Sequence, residues 1–364
     1  MVQFAEIAYA PLLFQRPSEV RAIAELSNAE RQALLPVFRV RPWMSSKQLE
    51  KSLATLRKAM DGLPFACDID AWWSGTGKER ESTAAFREMR EDVTGLLWYE
   101  FIRTYEEAIP CIKLDTSIDN ILSEIRCDWM IERGFGIVVT EKNREHIHKL
   151  PTILAAINHS NFFVIVDGGW SRDPLLNMAN TTAIVSTVLD ERDTTALFIS
   201  SSSFPDQFGE IGINDTINLK ELDFFDEVRA FVAQAYNRST VRYSDWATTR
   251  PPPSIPIPAR WVPRIDIPER QQIRIFRSRI DTEAAEDVRD TCIRLARVAV
   301  ADQSWPSPPP SWGHYLVDLT ASESEFGIYS PQRNTATRIN MHLHQRLSAL
   351  VQRGVTFGEE PFDD

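Results

Sequence analysis

Residues 135–169 of the chain read FGIVVTEKNREHIHKLPTILAAINHSNFFVIVDGG, and this stretch contains the unit that decides the fold. Two runs rich in Val, Ile and Phe, at 135–142 and 161–169, enclose a segment with helical patterning at 144–159. Short apolar runs bounded by polar or turn residues are typical of buried β-strands. Because a helix separates the two runs, the stretch predicts a strand–helix–strand unit with parallel strands.

The same alternation extends outward over the first two thirds of the chain. Further strand-like runs occupy residues 9–15, 33–40, 63–70, 108–115, 195–203 and 239–245. Helical segments occupy residues 18–30, 46–60, 83–105, 118–133, 173–191 and 219–237. Eight strands alternating with helices predict a (β/α)8 TIM-like barrel over residues 1–249. An open doubly wound sheet is the alternative, although it usually has fewer strands and a Gly-rich first turn.

The chain changes character after Asp245. Residues 250–268 contain seven prolines, which predicts an extended connector because proline interrupts helices. Beyond this connector we expect strands at 273–277 and 314–319 and helices at 283–301 and 337–353. Residues 250–364 are therefore predicted to form a C-terminal α+β extension that packs on the barrel.

Composition and motifs exclude several classes of function. The chain has 40 basic and 51 acidic residues and a net charge of −11, with no run of five basic residues, so nucleic-acid binding is not expected. No apolar run approaches the ~20 residues needed to span a membrane, and the N-terminal residues do not resemble a secretion signal, which predicts a cytoplasmic location. The four cysteines form no CxxC pair. GxGxxG and P-loop motifs are absent, and no cofactor is indicated.

Charged and polar residues collect where the predicted strands end, which in a barrel is where ligands bind. Alternation along the third strand places Ala66, Asp68 and Asp70 on one face, pointing inward. The acids at these ends are Asp68, Asp70, Asp115, Glu141 and Asp167. A sixth acid, Asp245, lies there together with Ser202 and the cations Arg39, Arg41 and Lys113.

Three interpretations of these strand ends stay open. Paired acids are suited to general acid–base catalysis or to a divalent metal. Arg39, Arg41 and Lys113 are suited to clamping an anion. Alternatively, the charges neutralise one another as a buried network without a ligand. No histidine motif indicates a transition metal.

Several short motifs resemble the phage-type beta protein family. They are the opening YAPLLFQRPSEVRAIAELSNAERQALLPVFRV, the SSFP run at 202–205, Ser244-Asp245, the SWGHY run at 311–315 and RINMHL at 338–343. The chain has Trp246 where the family usually has Tyr, and His314 where Asp is common. The resemblance implies a full-length single unit found in phages and in bacterial genomic islands, and it implies no known reaction.

The resemblance adds three residues from the C-terminal part to the candidate site. Arg338 and His342 lie four residues apart on one face of a helix, where they are placed to close over the predicted barrel mouth with the loop of Trp312. We therefore predict a phage- or defence-associated barrel that binds an anionic ligand or a partner protein. The predicted ligand-binding residues are Arg39, Arg41, Lys113, Ser202, Asp245, Trp312, Arg338 and His342. The alternative is a divalent-metal-dependent hydrolase that uses Asp68, Asp70, Asp115, Glu141 and Asp167.

Overall fold

The computed structural model describes residues 3–44, 46–75, 79–192, 196–206, 208, 211–237, 241–251, 261–278 and 287–351. The chain forms two compact units. The first comprises Met1–Arg16, Gln32–Ser203 and Lys220–Trp246, and the second comprises Pro17–Arg31, Phe204–Leu219 and Ala247–Asp364. The division into residues 1–249 and 250–364 stays a prediction.

The strands and helices follow the hydrophobic pattern of the sequence. The strands are β1 (Leu12–Phe14), β2 (Val37–Val40), β3 (Phe65–Ile69), β4 (Ala108–Pro110), β5 (Phe135–Val139), β6 (Phe162–Trp170), β7 (Ala196–Ser202), β8 (Asn214–Asn218), β9 (Arg242–Tyr243), β10 (Arg264–Pro268) and β11 (Gln272–Arg277). The helices are α1 (Pro17–Ala24), α2 (Asn28–Ala33), α3 (Lys51–Ala59), α4 (Glu81–Glu91), α5 (Leu96–Arg103), α6 (Ile118–Glu124), α7 (Asp128–Arg133), α8 (Leu150–Ala156), α9 (Met178–Glu191), α10 (Glu221–Tyr236), α11 (Val288–Val300), α12 (Trp312–Ala321) and α13 (Pro331–Val351). Short 3-10 helices at Arg144–Lys149 and Pro174–Asn177 precede α8 and α9.

The first unit contains two parallel sheets of four strands each, in the orders β1-β2-β3-β4 and β5-β6-β7-β9. The prediction of a closed (β/α)8 barrel is therefore wrong, because the eight strands do not form one continuous sheet. Within the described residues, the chain around β4 and β5 is joined by the isolated bridge Cys111–Gly136, and the chain around β9 and β1 by the isolated bridge Tyr9–Tyr243. Single backbone hydrogen bonds, such as that from the Leu12 amide to the Asp245 carbonyl at 2.8 Å, accompany these bridges without forming a strand pair. The α/β class and the parallel direction of the predicted strands are confirmed.

Side chains from both parallel sheets share one core. Its members include Leu12, Phe14, Val37, Ala66, Ile109, Val138, Phe163, Ile165, Phe198 and Trp246. Gly136 permits β5 to pack closely against Phe163 and Cys111. A Cβ at this position would contact the Phe163 ring and lie 2.9 Å from the Cys111 Sγ. Along β2, Arg39 lies two residues beyond Val37, and along β6, Asp167 lies two beyond Ile165. Strand alternation therefore continues the core-facing rows with charged residues at the carboxyl ends.

The second unit is built around an antiparallel sheet in the order β10-β11-β8. One face of this sheet contributes Ile265, Ile267 and Phe276 to a core that is completed by α11, α12 and α13. The other face contributes Ile273 and Ile275 to a smaller apolar cluster. The two faces carry different side chains because successive residues of a strand point to opposite faces of the sheet.

Three predictions for the C-terminal part need correction. The strand predicted at 314–319 is the helix α12, in which the adjacent Leu316 and Val317 are both buried, as a helix allows. Ser311 begins it as an N-cap, with its side chain accepting a hydrogen bond from the His314 amide. The connector predicted at 250–268 contains β10, and residues 252–260 lie outside the described part. The last helix begins at Pro331 rather than at 337.

No helix in the described ranges combines the length and the hydropathy that spanning a membrane requires.

Candidate ligand-binding site

Arginine–aspartate pairs lie at the carboxyl ends of β2 and β3. Arg39 and Asp68 are direct neighbours in the parallel register of these strands, and Arg39 Nη1 donates to Asp68 Oδ2. Two residues further along the sequence in each case, and just beyond the ends of the strands, Arg41 forms an ion pair with Asp70. Arg39 is 2% exposed and Asp70 is fully buried. The two pairs therefore form successive layers beyond the apolar core.

Aromatic rings surround the Arg39 guanidinium. Its central carbon lies 5.4 Å from the centroid of the Trp72 ring and 5.5 Å from that of Trp246, within the range of cation–π attraction. The two indoles are nearly perpendicular, with centroids 5.5 Å apart. Phe14 stacks on Trp246 at 5.2 Å. These rings shield Arg39 from water and fix its position.

Asp167, at the carboxyl end of β6, is a third buried acid in this region. Burial raises the pKa of its carboxyl group, although a hydrogen bond from Trp246 and the charge of Arg39 oppose this shift. Trp246 Nε1 donates to Asp167 Oδ1 at 3.1 Å. Among the residues that the structure describes, Asp167 Oδ2 and the Ser200 hydroxyl make no hydrogen bond of ordinary geometry. Burial therefore favours the neutral form of Asp167 more than it would be favoured in an exposed aspartate.

Arg39 retains hydrogen-bonding capacity that the described part of the chain does not use. Its Nε and Nη2 atoms are buried, and neither has a hydrogen-bond partner there. Burial lowers the pKa of Arg39, while neighbouring negative charges that include Asp167 and Asp70 raise it. A buried polar group without a partner is costly, and the cost is greater for a charged one. A water molecule or a polar ligand that accepts hydrogen bonds at this edge of the guanidinium would therefore remove this cost.

The structure does not bring the other predicted strand-end residues to Arg39. Lys113 Nζ donates to the Asp92 carbonyl at 2.7 Å and lies 3.3 Å from Asp115, whose side chain is exposed. Glu141 is also exposed, and its carboxylate accepts a hydrogen bond from Trp72 Nε1 at 3.3 Å. Within the described ranges, no three His, Cys, Asp or Glu side chains gather in a way that would hold a metal ion.

Asp245 and Ser202 are buried in the first unit. Asp245 accepts hydrogen bonds from the hydroxyl groups of Tyr9 at 2.6 Å and Tyr243 at 2.8 Å. Both of its oxygens are thus used to tie β9 to the residues before β1. Ser202 is the last residue of β7, and its carbonyl accepts a hydrogen bond from the Ser171 amide at 2.9 Å.

The remaining predicted residues belong to the second unit. Arg338 on α13 forms an ion pair with Asp266 at 2.5 Å. His342, one turn later on the same helix, is buried. Trp312 begins α12, with the Arg21 guanidinium 5.7 Å from its ring.

Sequence reasoning did not place Phe14 or Trp246 at the site. Their positions in the sequence could have indicated it. Phe14 follows Leu12 on the core-facing row of β1, and Trp246 directly follows the last predicted strand.

The family model described as Beta protein matches residues 9–348 of the chain. The chain belongs to the beta protein family. Its sequence is 24% identical over 370 residues to Protein beta of Enterobacteria phage P4, with 99% of each chain covered. No solved structure matches it.

Membership of the beta protein family confirms the resemblance indicated by the short motifs. The matched range includes the Arg39 region and most of α13. Because the family description specifies no reaction, the roles of the predicted site residues stay predictions.

Proposed function

We propose that this beta protein family member binds a small anion that carries a carboxylate group, with Arg39 as its main ligand-binding residue. The observation that carries the proposal is the buried Nε–Nη2 edge of Arg39, which lacks a partner in the described part of the chain. These two nitrogens lie on one side of the guanidinium and match the two oxygens of a carboxylate, so the pair can form two parallel charge-assisted hydrogen bonds.

The neighbouring charges leave hydrogen bonding from Arg39, rather than a net positive charge, as the attraction for the ligand. Asp68 engages Nη1 of Arg39, and Arg41 engages Asp70, so neither pair leaves an excess charge. Asp167 would repel an anion when it is ionised. Because burial raises its pKa, its neutral form is accessible, and this form can donate a hydrogen bond to the anion.

The aromatic rings support binding rather than a purely structural role. Trp72 and Trp246 limit access of water to Arg39, and electrostatic attraction is stronger in such a setting than in water. Small-molecule sites are commonly lined by apolar and aromatic side chains with a few fixed polar groups. The arrangement of one guanidinium, one titratable acid and two indoles has this character.

The other predicted functions gain no specific support. For the metal-dependent hydrolase, Asp68 and Asp70 are already engaged by arginines, and Asp115 and Glu141 are exposed. No observation on the described residues specifically supports a partner protein. The phage P4 source of the relative supports the phage-associated part of the prediction.

Calorimetry with glycolate, L-malate and citrate as separate probes tests the proposal. Arg39→Lys keeps the charge but removes the bidentate edge, so we expect at least tenfold weaker binding of the carboxylate that binds best. Arg57→Lys is the matched control, because Arg57 forms an exposed ion pair with Glu107 in the same unit. The proposal fails if wild-type protein binds none of the probes at millimolar concentration. Equal affinity in wild type and Arg39→Lys would also refute it.

A further inference from the structure

A cluster of arginines lies on one face of the antiparallel sheet in the second unit. Arg264 of β10 and Arg277 of β11 are direct partners in the antiparallel register. Like charges placed directly opposite each other destabilise a strand pair. Asp266 follows Arg264 by two residues and therefore lies on the same face. The sheet thus concentrates positive charge around one carboxylate.

Within the described part of the chain, all hydrogen bonds of the Asp266 carboxylate are made by one of its two oxygens. Its Oδ2 accepts from Arg338 Nη1 at 2.5 Å, from Arg264 Nε at 3.0 Å and from Asn334 Nδ2 at 3.3 Å. Its Oδ1 is buried and has no partner among the described residues, and the same holds for Arg338 Nε. One acceptor and one donor therefore remain unused within the cluster.

Among the described residues, the charges of the cluster do not balance. Arg264, Arg277 and Arg338 contribute three positive charges, whereas Asp266 contributes one negative charge. Glu19 is the other described acid whose charge acts on Arg338, and including it still leaves one positive charge in excess within this part of the chain. Arg338 is 3% exposed and Arg277 is 5% exposed. Because an uncompensated charge is costly at such burial, the cluster favours an added anion.

Two phenylalanines cover the arginines. The Arg338 guanidinium lies 4.5 Å from the centroid of the Phe204 ring, and the Arg264 guanidinium lies 3.6 Å from that of Phe208. A ring stacked on a guanidinium leaves the N–H groups at its edges available. The phenylalanines therefore orient the arginines without using their hydrogen-bond donors.

We infer that this cluster is an oxyanion site that binds inorganic phosphate and selects it over sulfate. The arginines would donate to the unprotonated oxygens of the phosphate. Inorganic phosphate keeps at least one proton at neutral pH, and its P–OH group would donate to Asp266 Oδ1. Sulfate has no proton to donate at this pH, so its oxygens would face the carboxylate without a hydrogen bond.

The neighbouring arginines keep Asp266 in the ionised form that this selection needs. Burial opposes ionisation of its carboxyl group, but the charges of Arg264 and Arg338 outweigh burial and lower its pKa. Asp266 therefore stays an acceptor at neutral pH.

Calorimetric titration of the full chain with phosphate and with sulfate tests the inference. We expect wild-type protein to bind phosphate at least tenfold more tightly than sulfate, and Arg338→Met to weaken phosphate binding at least tenfold. Arg274→Lys is the matched control, because Arg274 lies on β11 and pairs with Asp302 away from the cluster. Phosphate binding that weakens in Arg39→Lys but not in Arg338→Met would place the anion at the proposed carboxylate site and overturn the inference.

Asp266→Asn tests the selection itself. An amide in place of the carboxylate can donate to sulfate, so the preference for phosphate should fall below twofold. If this variant does not fold, Arg277→Met supplies the second test and should weaken phosphate binding at least tenfold. The inference is overturned if wild-type protein binds neither anion, if it binds both equally, or if the variants that fold bind as wild type does.

Discussion

Binding of a carboxylate at Arg39 should be accompanied by uptake of one proton at Asp167. Burial already raises the pKa of Asp167 from its ordinary value of 3.8 in the unliganded protein. A second negative charge beside Arg39 makes ionisation of Asp167 still less favourable, so the pKa is higher in the complex. The isosteric variant Asp167→Asn removes the titrating group and retains an oxygen that can accept the hydrogen bond from Trp246.

The magnitude follows from linkage between the proton and the ligand. Below the pKa of free Asp167, this residue makes no contribution to the pH dependence of the affinity. Between this pKa and the pKa in the complex, the affinity falls by up to tenfold per pH unit, which is about 1.4 kcal/mol. Above the second pKa the affinity becomes constant again. Asp167→Asn should show no such decline.

Calorimetry in buffers with different protonation enthalpies measures the number of protons taken up. Within the pH interval between the two pKa values, we expect an uptake that approaches one proton for wild-type protein and zero for Asp167→Asn. Zero uptake in the wild type throughout the range from pH 4 to 8, or an unchanged uptake in the variant, would refute this role of Asp167.

Asp167 should also affect stability in the absence of ligand. Its pKa is raised in the folded state, so the folded state holds the proton more tightly than the unfolded state does. The resulting stabilisation is fully present below the unfolded pKa and is lost as the pH rises through the folded pKa. Urea unfolding of wild type and Asp167→Asn should therefore show wild type losing stability relative to the variant over this interval. A constant difference would contradict the raised pKa.

Two further predictions concern the packing of the first unit. Gly136→Ala should lower the free energy of unfolding by about 1–3 kcal/mol, because the added Cβ would contact the Phe163 ring, and Gly212→Ala, which meets only ordinary contacts, should be much milder. Asp245→Asn should cost about 2 kcal/mol, since one of the two tyrosine hydroxyls that donate to Asp245 loses its acceptor. Asp226→Asn, at an exposed ion pair, should change stability by less than about 1 kcal/mol. Chemical denaturation measures each value, and equal losses in the variants and their controls would contradict both predictions.

The apolar strands could be predicted from the sequence because burial imposes a continuous hydrophobic run. Runs such as 161–169 coincide with β6, and the alternation along β3 correctly relates Ala66 to Asp68. The same signal is missing for β8, whose residues are mostly exposed and polar. Periodicity also cannot show whether neighbouring strands pair continuously, and the predicted barrel is wrong because isolated bridges, rather than strand pairs, link the two parallel sheets.

The residues of the candidate site could be predicted only where the strand itself fixes their direction. Arg39 and Asp68 lie within regular strands, so their meeting follows from alternation and register. Lys113 lies beyond the end of β4, where the turn of the chain directs it to Asp92. Arg338 finds its partner Asp266 far away in the sequence, and such a pairing leaves no local pattern.

The chain passes between its two units five times, because segments 17–31 and 204–219 belong to the second unit although residues of the first flank them. Expressing residues 250–364 alone would omit β8 and leave one edge of β11 unpaired. Expressing residues 1–249 alone would deprive α1 of the helix α13 against which it packs. Dividing the chain between residues 249 and 250 therefore yields two incomplete fragments. Point substitutions in the intact chain are the better way to assign roles to residues.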